Sequence, residues 1–179
     1  MFPETDADTT VSLNLAGPLG FKCLEMGEKT ISSAVVPFVW DGPIVRMKAC
    51  DHCKAITPQE SCMCGLHAAY SVAQVIDQYA SLRDRIVVLV EGQGKVILHE
   101  RGWRAEQCVV RAVVELYAGN MIKHLMNVRA RKRFCGVPIV SLEDAIQVIQ
   151  AHHKPGASSR EIEPIIPKGF DEFVSRTLL

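Results

Sequence analysis

Hydrophobic and polar residues change their spacing several times along this chain, and each change marks an element. Residues 19–26 (LGFKCLEM) and 30–40 (TISSAVVPFVW) are rich in β-branched and aromatic residues, with Pro37 interrupting the second run. They predict two strands or one bent strand. Asp41-Gly42-Pro43 signals a turn, and 44–49 (IVRMKA) alternates as a strand does. Between 72 and 82 the period becomes helical. Val72, Val75, Ile76, Tyr79 and Leu82 share a face opposite Gln74, Asp77 and Gln78, and Ser71 stands where a hydroxyl caps a helix start. Residues 85–92 (RIVVLVEG) and 95–100 (KVILHE) read as two strands joined through Gly92-Gln93-Gly94, which suits a hairpin loop. In 101–117, Val110, Ala112, Val114 and Leu116 alternate, which predicts a strand through most of the segment, although its Ala, Glu and Arg content also suits a helix.

Two helices are expected beyond it. The first covers 120–134, with Met121, Leu125 and Val128 on one side, the basic residues mostly on the other, and Gly136 and Pro138 ending it. Ser141 opens the second (SLEDAIQVIQAHH), where Glu143 and Asp144 favour the positive end of the helix. The fold class is therefore α+β: a mainly antiparallel sheet, a short helix after a cysteine-rich loop, and two C-terminal helices. The organisation expected is a tail (1–10), an α+β core domain (11–118) carrying the cysteine-rich loop 50–64, a helical segment (119–154) and a C-terminal arm (155–179).

Length and charge narrow the classes. A chain of 179 residues buries roughly 70% of its unfolded surface, so a metal or disulfide here is a local staple rather than the source of the core. Twenty basic and twenty acidic residues cancel, which argues against broad adhesion to nucleic acid or anionic lipid. The opening MFPETDADTT has no signal-peptide pattern, and no apolar run approaches the ~18 residues of a membrane span. Seven cysteines without an export pattern fit a reducing cytoplasm, and the odd number precludes complete pairing within one chain.

The cysteines are not evenly spread. Cys50, His52, Cys53, Cys62 and Cys64 fall in the stretch ACDHCKAITPQESCMCG. C-x2-C, eight residues, then C-x-C is a cage for one structural metal. Zinc takes four ligands at tetrahedral angles, commonly thiolates with imidazole. An all-thiolate site uses Cys50, Cys53, Cys62 and Cys64; His52 is an alternative ligand in place of Cys50 or Cys53. Four protein ligands close the coordination shell, which disfavours hydrolytic zinc chemistry. Reduced thiols packed in and beside a core, or a redox pair, are the competing readings.

The order of these features carries a resemblance. C-x-C-G-L-H-A-A (62–69), a short helix, an apolar strand and G-K-V-I-L-H-E-R-G-W-R-A-E (94–106) together resemble a family of bacterial and phage-encoded proteins of unassigned function, over roughly residues 15–140. Leu66-His67 stands where that family has Ile-Tyr, and the strand before His99 lacks its tryptophan. The resemblance implies a small, host-directed binding protein.

Other candidates are weaker. His67, His99, Trp103, Arg104 and Glu106 form a candidate ligand or partner surface, and Arg104 and Glu106, on alternate strand positions, could form an ion pair. His99-Glu100 is not a zinc-protease motif, because Trp103 occupies the place of its second histidine. Lys123, Arg129, Arg131, Lys132 and Arg133 are candidate phosphate contacts. Gly92-Gln93-Gly94 lacks the following helix of a dinucleotide fingerprint. The function expected is a small binding protein with another protein as partner. The alternatives are a nucleic-acid-binding module built on helix 123–133, and an enzyme with a cysteine nucleophile served by His52 or His67.

Overall fold

The computed structural model describes residues 17–34, 38–47, 49–55, 57–78, 82, 84–117 and 119–152. The expected tail 1–10 and arm 155–179 lie outside them. Seven strands and three helices follow in the order β1 (Leu19–Met26), β2 (Ile31–Ser33), β3 (Ile44–Arg46), β4 (Leu66–Ala69), α1 (Val72–Asp77), β5 (Arg85–His99), β6 (Gly102–Glu115), α2 (Met121–Arg133), β7 (Ile139–Ser141) and α3 (Leu142–His152). The α+β class, the short helix after the cysteine-rich loop and the two C-terminal helices are as expected.

Strand β6 organises the sheet. One of its edges runs antiparallel to β5 along nearly its whole length. The other is covered in turn by β4 (Leu66↔Ala105), β3 (Ile44↔Val109) and β7 (Val113↔Ile139, parallel). On its far side β5 pairs with β1, and β1 pairs with β2. A single pair, Phe21↔Ala69, joins β1 to β4 and closes a ring of pairings β1–β5–β6–β4. Successive residues of a strand point to opposite faces, and the core divides accordingly. Ile86, Val88, Val90, Leu24, Leu66, Ala68, Trp103 and Ala105 share an inner cluster with Trp40 and Phe134. Val87, Leu89, Phe21, Cys23 and Ala112 lie in an outer cluster under α1 and α3, with Val72, Val75, Ala145 and Ile149.

The hairpin expected at Gly92-Gln93-Gly94 is a correction. Residues 85–99 are one continuous strand, and the register slips between Gln93 and Val96. The glycines serve a bulge and a close approach, not a chain reversal. Gly94 has φ +71, and a Cβ on Gly92 would stand 2.9 Å from the Trp103 ring. The reversal comes at Glu100-Arg101, since His99 pairs with Gly102. Residues 102–115 are a strand, as the alternation predicts.

Both serine caps are present. Ser71 Oγ accepts from Gln74 N at 3.2 Å in a capping box, and Ser141 Oγ accepts from Asp144 N at 3.1 Å. Helix α1 ends at Asp77, short of the expected 82; Leu82 is buried beyond it, and 79–81 lie outside the described residues.

Helix α2 departs in part from its expected faces: Val128 is half-buried and Arg129, Arg131, Lys132 and Arg133 are exposed, but the N-terminal turns are reversed. Met121 and Leu125 are 69% and 60% exposed, while Lys123, Asn127 and Ala130 are buried. The Lys123 ammonium donates to the carbonyls of Leu82 and Arg85, and this clasp draws Lys123 inward. Strand β7 was not expected. It and α2 and α3 join the same sheet and clusters as the core domain.

Two buried thiols set an alkaline limit. Burial pushes Cys23 and Cys108 up to about 12 from 9.0. The unfolded chain releases these protons from pH 9 upward while the folded chain keeps them, so stability falls as pH rises toward 12. Each thiol contributes a fall of up to about 1.4 kcal/mol per pH unit. We expect a shallower fall in Cys108→Val, measured by urea unfolding between about pH 8 and about pH 10.5. An unchanged slope would mean that Cys108 ionises in the folded protein.

Candidate metal centre

The cysteine-rich loop lies between β3 and β4, and β6 supports it from below. Its two cysteine pairs are shaped alike. Lys54, directly after Cys53, has φ +53, and Gly65, directly after Cys64, has φ +119. Each turns the chain back at the same step beyond its second cysteine. Cys50 O accepts from Lys54 N at 2.8 Å, and Cys50 N donates to Ala55 O at 3.1 Å, closing the first turn. At Gly65 the constraint is also steric, because a Cβ would meet Pro58 Cβ at 3.1 Å and Arg104 Cβ at 3.3 Å.

The result is one group of ligand atoms. The Sγ atoms of Cys50, Cys53, Cys62 and Cys64 all lie within 4.8 Å of one another, and all four residues are half-buried. Cys50 and Cys62 approach to 3.8 Å, as do Cys53 and Cys64. Thiolates at about 2.3 Å from one ion, at tetrahedral angles, stand about 3.8 Å apart. The four cysteines could therefore hold a metal ion such as zinc. His52 is exposed and lies outside the set.

The thiols do not ionise alike. The N–H groups of Cys53 and His52 reach the Cys50 sulfur and draw it down to about 7. At Cys62 the Cys64 N–H acts in the same direction, but desolvation and the neighbouring sulfurs of Cys64, Cys50 and Cys53 outweigh it and push the thiol up to about 11. One thiolate forms readily and opposes the next, and a divalent cation among the sulfurs would relieve that opposition.

Arg104 is the residue whose role the sequence did not reveal. Only 3% exposed, it donates through Nη1 to the carbonyls of Cys62, Cys64 (3.3 Å) and Gln59 (3.4 Å). Its Nε donates to His99 Nε2 at 2.8 Å. One guanidinium thus gathers three carbonyls of the loop, and its charge opposes that of the thiolates. The one available signal was a charged residue beside the apolar Trp103 and Ala105 on β6. The expected Arg104–Glu106 pair is not formed, because Glu106 takes Arg46 at 2.5 Å and Lys95 N at 3.3 Å. Arg46, then the Lys95 N–H, hold the Glu106 carboxyl below its usual range.

The remaining candidates divide by exposure. Trp103 and Arg104 are buried and drop out of the partner surface; the Trp103 indole donates to Leu19 O at 3.0 Å inside the core. His67 and His99 are exposed. His67 Nε2 donates to Met63 O at 2.8 Å, and burial, more than that bond offsets, keeps its pKa below the ordinary value. Met63, between Cys62 and Cys64, is 77% exposed. Among the candidate phosphate contacts, buried Lys123 is a correction: its ammonium is spent on backbone carbonyls. Arg129, Arg131, Lys132 and Arg133 are exposed, and Arg133 lies 3.6 Å from Asp41. No helix among the described residues is long and apolar enough to cross a membrane. Comparison with protein-family models, curated proteins and solved structures finds no match to this chain.

Removing the Arg104 guanidinium leaves the loop carbonyls without their donor. Arg104→Met is expected to lower stability by about 1.5–3 kcal/mol in denaturant unfolding. A loss no larger than that of an ordinary surface substitution would show that the loop holds itself.

Proposed function

We propose that this chain is a small binding protein whose cysteine-rich loop is stapled by one structural zinc ion and presented to another protein. The observation that carries the reading is the convergence of four sulfurs from two similar turns to tetrahedral spacing. Cys50, Cys53, Cys62 and Cys64 hold the ion, which supplies only cross-linking, since four thiolates leave no position for substrate or water. Arg104 offsets the excess negative charge from the protein side. The staple fixes Met63 at the tip of the loop. Beside it stand exposed His67 and, across β6 on the same face, exposed His99. An exposed methionine among imidazoles forms an adaptable apolar contact with a polar surround, as protein partners use.

The staple is tested by metal analysis with thiol counting. One equivalent of zinc is expected. In the native protein only exposed Cys135 should react quickly, because Cys23 and Cys108 are buried and the other four are ligated. Chelation should then expose those four. Absence of metal, with all four reacting from the outset, would remove the staple. The docking surface is tested separately by pull-down with the zinc-loaded protein. Met63→Glu should lose the captured partner while keeping its zinc, and capture that survives this substitution would move the contact elsewhere.

A further inference from the structure

One half-buried cation has no part in the loop. Lys22 shares its face of β1 with Gly20 and Leu24, which face the inner cluster. Its Nζ donates to His67 O at 2.8 Å and stands 6.0 Å from the centroid of the Trp40 ring. Neither partner is an anion. Desolvation lowers the Lys22 pKa, and the small opposing influences come from Cys108 and Cys23, not from a carboxylate. An ammonium has three N–H groups, and one is spent on the His67 carbonyl. The lysine is therefore held in place with donor capacity to spare.

It borders a cleft of about 1040 Å³. Phe38, Met47 and Met63 give that cleft apolar walls, and Lys22, His67 and Arg101 line it against the carboxylate of Asp77. Since a carbonyl only accepts, His67 Nε2 carries the proton in the bond to Met63 O. Two cations, Lys22 and Arg101, facing a half-apolar concavity are the complement of an amphiphilic acid.

We propose that this cleft binds a small organic anion, its acidic group held by Lys22 Nζ and its apolar body laid against Phe38, Met47 and Met63. This extends the binding reading to a ligand class. It does not depend on the metal, although Met63 and Cys64 carry the loop to the wall of the cleft.

The probes are octanoate and octyl phosphate, with 1-octanol as the neutral control, titrated while the indole N–H signals of Trp40 and Trp103 are followed by NMR. Affinity should be roughly millimolar for the two acids. Octanol should bind more weakly. Lys22→Met should weaken both acids by about tenfold or more, and Lys22→Arg should retain them. A preference for one acid over the other selects phosphate or carboxylate within the class. Equal binding of octanol, unchanged affinity in Lys22→Met, or indole signals that no acid moves would each overturn the proposal. The comparison of acids with octanol in the unaltered protein stands even if Lys22→Met fails to fold. Zinc content read on the same samples separates the two ideas: anion binding by a metal-free protein would sink the staple and spare the cleft.

Discussion

Strand β6 is hydrogen-bonded along both edges, and β3, β4, β5 and β7 all take their place from it. A strand of 14 residues so paired has no slack in register, because a slip of one residue would turn every inner side chain outward. This pairing places Trp103 inside and Arg104 outside. Trp103 fits only because Gly20 and Gly92 present no side chain: a Cβ on either would stand within 3 Å of the indole. Arg104, one residue on, is then aimed at the underside of the cysteine-rich loop. Core packing and the arrangement of the candidate metal centre are two faces of one strand.

A second theme is the use of charge. The chain is neutral overall, yet several charged groups are withdrawn from solvent. Glu91 is fully buried and accepts from Arg111 Nε at 2.6 Å and Gly17 N at 3.0 Å. Arg104 and Lys123 each face backbone carbonyls of an irregular segment, Arg104 at the cysteine-rich loop and Lys123 at Leu82 and Arg85. Burying a charge is costly unless its hydrogen-bonding groups are met. These cations act as clasps, Arg104 on the cysteine-rich loop and Lys123 at the entry to β5.

The sequence was readable where one local rule decides the outcome. Richness in β-branched and aromatic residues marked β1, and alternation marked β3 and β6; serine hydroxyls marked the starts of α1 and α3; the cysteine spacing marked the four sulfurs that converge. It was not readable where tertiary contacts choose between equal local options. Gly92 and Gly94 suit a hairpin and a bulge alike, and only the distant Trp103 ring settles it. The apolar residues of α2 read as its buried side until the carbonyls of Leu82 and Arg85 claim Lys123. Ile139–Ser141 is too short to announce itself as a strand. Arg104 could be placed on β6 but not beneath the loop, because its acceptors lie some forty residues earlier in the chain.

The order in which partners appear along the chain has a consequence for synthesis. Strands β3 and β4 precede the hairpin that gives them their ladder, and β4 otherwise holds β1 through one pair. A nascent chain that ends before Arg85 has no complete sheet, and the cysteine-rich loop it already carries has no floor. The connection from β5 to β6 is two residues long and closes quickly, whereas docking β3 and β4 must wait for it. The first half of this protein is thus a template that becomes a structure only when residues 85–115 leave the ribosome.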